Sequence, residues 1–181
     1  GDARIFLNDG TGTFTTFRVE PLVPGSQSSP NEGADFNNDG EIDIVFGDSH
    51  ATQISVLLGD GTGHFFSNTL HTGGTSIRSV GVVDLNGDGW DDLVVRNAGD
   101  GTLSVLMATK FMGPVVAGLT PPSFLAPVTL PVGLGVSDLQ VVDTTGHGLL
   151  DLVITNKLTG QVSILRNLGD GSERTFSDVV D

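Results

Sequence analysis

One loop is written into this chain twice in full and once in worn form. Asp35, Asn37, Asp39, Gly40, Glu41 and Asp43 recur 49 residues later as Asp84, Asn86, Asp88, Gly89, Trp90 and Asp92. A third copy, 59 residues further on, keeps Asp143, Gly148 and Asp151 but has Thr145 and His147 where the others have Asn and Asp. Side-chain oxygens at positions 1, 3, 5 and 9 of such a loop can surround one hard cation. Gly at position 6 allows the sharp turn, and the carbonyl of position 7 (Glu41 or Trp90) adds an oxygen. A donor set of oxygens alone, without Cys or paired His, points to calcium rather than zinc or copper. The expected ligands are therefore the ten loop residues other than the two glycines, holding about two Ca2+ per chain. Asp143, Thr145, His147 and Asp151 are the candidate ligands of the third loop. With two carboxylates and a softer nitrogen, that loop is expected to bind weakly or not at all.

The same spelling opens an EF-hand, but that loop needs a bidentate Glu at position 12 and a helix on each side. Position 12 is Phe46 in the first copy and Arg96 in the second. Each loop runs into a short apolar stretch, Asp43-Ile44-Val45-Phe46, Asp92-Leu93-Val94-Val95 or Asp151-Leu152-Val153-Ile154, which reads as a strand. The EF-hand is rejected.

The repeat extends past the loop. Twelve residues beyond Asp43, Asp92 and Asp151 stand Ser55, Ser104 and Ser163, each inside an apolar run. Near the N-terminus, Ile5 to Phe14 matches Val56 to Phe65 without a gap, and both contain an Asp-Gly-Thr-Gly turn. No segment sustains a helical period. The expectation is an all-β chain of four-stranded antiparallel units, the blades of a β-propeller, about three and a half in number. The boundaries expected are two strands of a preceding blade in 1–30, then blades at 31–75, 76–133 and 134–181.

These loops, the run Ser55-Val56-Leu57-Leu58-Gly59-Asp60-Gly61 and the segment Pro127-Val128 to Pro131-Val132-Gly133 resemble the FG-GAP/VCBS repeat family. That family is known from integrin α-subunit propellers and many secreted bacterial proteins. The resemblance implies a calcium-binding propeller, which in relatives typically closes with seven blades. It implies no particular activity. A shorter arc would expose strand edges, so either the remainder of a longer chain or self-association is expected to complete the ring. The first residue, Gly1 rather than Met, agrees with a processed piece.

The repeats differ in one place. Val56 to Phe65 spans nine residues and the matching Val105 to Phe124 spans nineteen, which puts an insertion at 108–123. Such a loop either folds over a blade edge or carries binding function.

Twenty-two Asp and Glu against eight Lys and Arg leave a net charge of −14. Nucleic acid and membrane insertion are not expected as partners. There is no Cys. His50, His64, His71 and His147 are scattered over turns and strands, with no nucleophile and base in a recognisable pattern. The function expected is therefore a non-catalytic, calcium-stabilised module for adhesion or ligand binding, secreted or at the surface of a bacterial cell. Its partner would be a protein or glycan on a surface. The alternatives are a carbohydrate-binding lectin propeller, with Trp90, the single Trp, stacking on a sugar and Arg96 with Asn and Asp side chains near the turns hydrogen-bonding it, or an accessory domain of a polysaccharide-active enzyme.

Overall fold

The computed structural model describes residues 2–21, 28–110, 112, 121–169 and 176, and its regular structure there is entirely antiparallel strand. Strands β1 (Asp2–Asn8) and β2 (Phe14–Pro21) form a hairpin. Strands β3 (Ser28–Ala34), β4 (Asp43–Asp48), β5 (Gln53–Gly59) and β6 (Phe65–His71) form a four-stranded sheet in chain order. A second sheet is begun by β7 (Ile77–Val83), β8 (Asp92–Asn97) and β9 (Thr102–Leu106). A ribbon of β10 (Ala108–Thr109) and β11 (Ser123–Phe124) comes next, and β12 (Val128–Pro131) then closes the sheet on β9. Strands β13 (Val136–Val142), β14 (Asp151–Asn156) and β15 (Gln161–Leu165) make the third, and a bridge between Asn167 and Phe176 extends it.

The middle strands of the first two sheets are apolar at almost every position because both of their faces are covered. In β4, Val45 packs toward the second sheet while Ile44 and Phe46 pack toward the N-terminal hairpin. In β8, Leu93 and Val95 join the core shared with the first sheet, and Val94 joins the core shared with the third. The period-2 alternation of a strand thus divides its side chains between two neighbours rather than between core and water. The result is a row of stacked sheets with an apolar cluster between each pair of neighbours. The first strands lie side by side, β7 against both β3 and β13, as the innermost strands of propeller blades do. The protein is all-β and propeller-like.

The insertion leaves the ladder in register. Gly59 pairs with Phe65, and the repeat-equivalent Ala108 pairs with Phe124, as Asn167 does with Phe176. The extra length therefore falls between β10 and β11. Residues 111 and 113–120, most of the insertion, lie outside the described residues, as do 22–27 of the first expected segment. At the ribbon's end Met112 is 87% exposed.

Candidate functional site

All three loops sit at the same place, between the first and second strands of a sheet. In each, position 1 closes the turn as an Asx side chain. Asp35 accepts the backbone N–H groups of Asp39 at 3.0 Å and Gly40 at 2.8 Å. Asp84 accepts those of Gly87, Asp88 and Gly89 at 2.7, 3.2 and 2.9 Å. Asp143 accepts those of Thr145, Gly146 and Gly148, which hold its carboxyl down at about 2. The glycine at position 6 has φ of 92°, 85° and 84° in the three copies, the left-handed region an L side chain disfavours. In the two full loops, Asn37 and Asn86 each give an amide N–H to the carboxylate two residues on, Asp39 at 2.8 Å and Asp88 at 3.0 Å.

Position 9 does something the sequence did not announce. Asp43 is fully buried and accepts the backbone N–H of Phe36 on one oxygen and of Gly59 on the other, both at 2.9 Å. Asp92 repeats this with Leu85 at 2.9 Å and Ala108 at 2.7 Å. Asp151 repeats it with Thr144 at 3.2 Å and Asn167 at 2.9 Å. Each carboxylate fastens the start of its loop to the chain at or just past the end of its sheet's third strand, Gly59 ending β5 and Ala108 and Asn167 standing just beyond β9 and β15. The signal was legible in principle, since the partner always stands sixteen residues on.

Electrostatics separate the loops. Burial pushes Asp43 and Asp92 up to about 6, with repulsion from Asp39 and Asp35, or Asp88 and Asp84, adding to it against the backbone N–H bonds. Three carboxylates within each other's field, beside an Asn oxygen, are a donor set that suits a hard cation. Among the described residues no three His, Cys, Asp or Glu side chains converge as a ready metal group, because the loop carboxylates are turned to backbone N–H donors. Burial also pushes Asp151 upward, but the Thr144 hydroxyl and two backbone N–H groups outweigh it and its carboxyl lies below the ordinary range. Thr144 occupies position 2, where the other loops carry Phe36 and Leu85. His147 is exposed in the same loop.

The two full loops touch. Asn38, at a φ of 54°, gives its amide N–H to the Gly89 carbonyl at 3.3 Å. Asp91, half-buried beside them, is raised by burial and by Asp84 and Asp35. The Glu41 carboxylate leans over the β5–β6 turn, so close to Gly61 that a Cβ there would clash with it. Trp90 is half-buried.

A second feature lies between the second and third sheets. Two cavities of about 470 and 460 Å³ share Leu134 as a wall. The first is lined by Arg78, Arg96, Ser137 and Lys157 among others, and the second by Asn156, Thr159, Gln161 and Ser163 with apolar neighbours. Of these, sequence reasoning singles out Arg96, which excludes an EF-hand and is a candidate sugar contact in the lectin reading, and Ser163, which marks the repeat.

The fold is similar to that of a lectin from Agrocybe aegerita, described as specifically recognising non-reducing terminal N-acetylglucosamine. The TM-score is 0.56 at 22% identity, over 98% of this chain and 45% of that one. The chain thus spans less than half the length of that protein, and the likeness is one of fold. None of the curated proteins matches the chain. Residues 35–95, which contain both complete loops, match the family model of the FG-GAP-like repeat.

Proposed function

We propose that this chain is a non-catalytic, propeller-like module that binds a glycan, with calcium stabilising its first two loops. The observation that carries the ligand reading is the pair of adjoining cavities at the seam between the second and third sheets. Their size falls in the range of small-ligand sites of roughly 300–1,000 Å³, and apolar walls with a few polar groups suit the two faces of a sugar. The fold likeness to a lectin supports a sugar over other small ligands. Leu134, 59% exposed between the cavities, offers an apolar surface for a pyranose face.

Calcium would be held by the carboxylates of Asp35, Asp39 and Asp43 with the Asn37 oxygen and the Glu41 carbonyl. In the second loop it would be held by Asp84, Asp88 and Asp92 with Asn86 and the Trp90 carbonyl. Bound there, the ion supplies positive charge that cancels the repulsion among the loop carboxylates. Loops of this type suit millimolar calcium outside the cell, which supports a secreted or surface location. The test is a glycan array run in calcium with wild-type protein and Leu134→Ser. Selective sugar binding that the substitution weakens supports the reading, and protein adhesion that ignores sugars overturns it.

A further inference from the structure

Three of the eight Lys and Arg in this acidic chain line one cavity, and no Asp or Glu lines it. Arg78 and Arg96 come from the second sheet, and Lys157 stands just past β14 of the third. The repeat shows that the fold does not require these charges. Arg96 corresponds to Gly47 in the preceding repeat and to Thr155 in the next, Arg78 to Ser137, and Lys157 to Ala98. A blade can therefore be built without any of them.

Local structure gathers them. The β7–β8 ladder passes from Ile77↔Asn97 to Ser79↔Arg96, leaving Arg78 as the extra residue of a bulge. The β13–β14 ladder does the same around Ser137, between Val136↔Asn156 and Asp138↔Thr155. Bulges re-aim side chains, and both of these residues line the cavity. Arg96 is half-buried and spans the seam. It gives one N–H to the Val136 carbonyl at 2.7 Å and another to the Arg78 carbonyl at 3.4 Å. Its Nε is buried and has no hydrogen-bond partner. The described ion pair of the chain is Arg4 with Asp2, so none of the three cavity cations is neutralised by a salt bridge among the described residues. Burial and the neighbouring Arg78 both weigh against the charge on Arg96, and Asp138 opposes them only in part. Two guanidinium groups and an ammonium beside an unpaired donor form a site for an anion.

We infer that the Arg78–Arg96–Lys157 cavity binds the carboxylate of an acidic sugar, a uronic acid being the simplest case. This deepens the glycan reading and rests on it. The apolar wall of Leu134, Val136 and Leu158 would take the sugar ring while the cations take the carboxylate.

The experiment is a set of NMR titrations in calcium with methyl β-D-glucuronide, methyl β-D-glucoside and acetate. The glucuronide is expected to shift the amides of Gly135 and Ser137 and the Nε–H of Arg96. The glucoside is expected to bind about tenfold more weakly, the worth of one charge-assisted pair. Arg78→Ala and Lys157→Ala, both exposed positions, should each weaken the glucuronide about fivefold to tenfold with an unchanged melting temperature. Arg96→Lys serves as a third variant, since loss of its bond to Val136 can also loosen the seam. Equal binding of the two glycosides, shifts that map away from the seam, or full affinity in R78A and K157A would each overturn the inference. Sugars that bind on an array independently of Arg78 would overturn it while leaving the glycan reading intact. Acetate binding as tightly as the glucuronide, with no sugar bound on the array, would overturn both.

Discussion

The buried carboxylate of Asp43 accepts the backbone N–H of Gly59, sixteen residues away, and so ties the first loop to the far end of β5. With its other oxygen on Phe36 it satisfies two buried donors at once. Ala at this position removes both acceptors. Asp43→Ala and Asp92→Ala are each expected to cost about 1–3 kcal/mol, the penalty for leaving buried donors unsatisfied. Urea denaturation in chelator checks this, and wild-type stability would show that the latch carries no weight.

Calorimetry on metal-stripped protein should record two calcium-binding events. Each site at a hundredfold excess over its dissociation constant adds about 2.7 kcal/mol of stability. Trp90 lies in the second loop, so its fluorescence should track that site. Asp84→Asn with Asp88→Asn should abolish the fluorescence response and leave one event. Absence of heat and of any rise in melting temperature would remove the metal from the proposal.

The third loop is expected to stand without metal because the Thr144 hydroxyl serves Asp151. Thr144→Val should destabilise by about 1–2 kcal/mol in calcium and in chelator alike. Thr145→Asn combined with His147→Asp restores the donor pattern and should add a third binding event to the titration. A wild-type loop that already binds calcium tightly would contradict this assignment.

In metal-free protein Asp43 and Asp92 lie near 6 when folded against an ordinary 3.8, chiefly through burial. A raised folded value means that the native state holds the proton more tightly. The stabilisation is complete below about pH 4 and is lost as pH rises through about 6. Asp143, held at about 2, acts in the opposite sense but only at lower pH. In chelator the melting temperature should therefore be higher at pH 5 than at pH 7, and saturating calcium should reverse the order. A higher melting temperature at pH 7 in chelator would refute it.

The strands, the all-β class and the loop positions were legible because each is a local pattern. An apolar run after an Asp-rich turn, such as Asp92-Leu93-Val94-Val95, reports its own conformation whatever surrounds it. The role of position 9 was only half legible. A carboxylate in a cation loop reads as a ligand, and nothing in the nine residues says that Gly59 or Ala108 will arrive with an unpaired N–H. Thr144 carries no signal of its own, because position 2 of the other loops is apolar and belongs to no donor pattern.

What the sequence determined by itself is the repeated unit: the strand that follows each loop and the turns between strands. Short-range sterics and alternation decide these within a dozen residues. Tertiary structure alone decided which units touch and with what. It brought Asn38 to the carbonyl of Gly89, and it set Arg78 and Arg96 across a cavity from Lys157. Those meetings depend on how sheets stack and on where a bulge turns a side chain out of its expected face. Both are consequences of packing between segments far apart in the chain, which spacing along the chain does not encode.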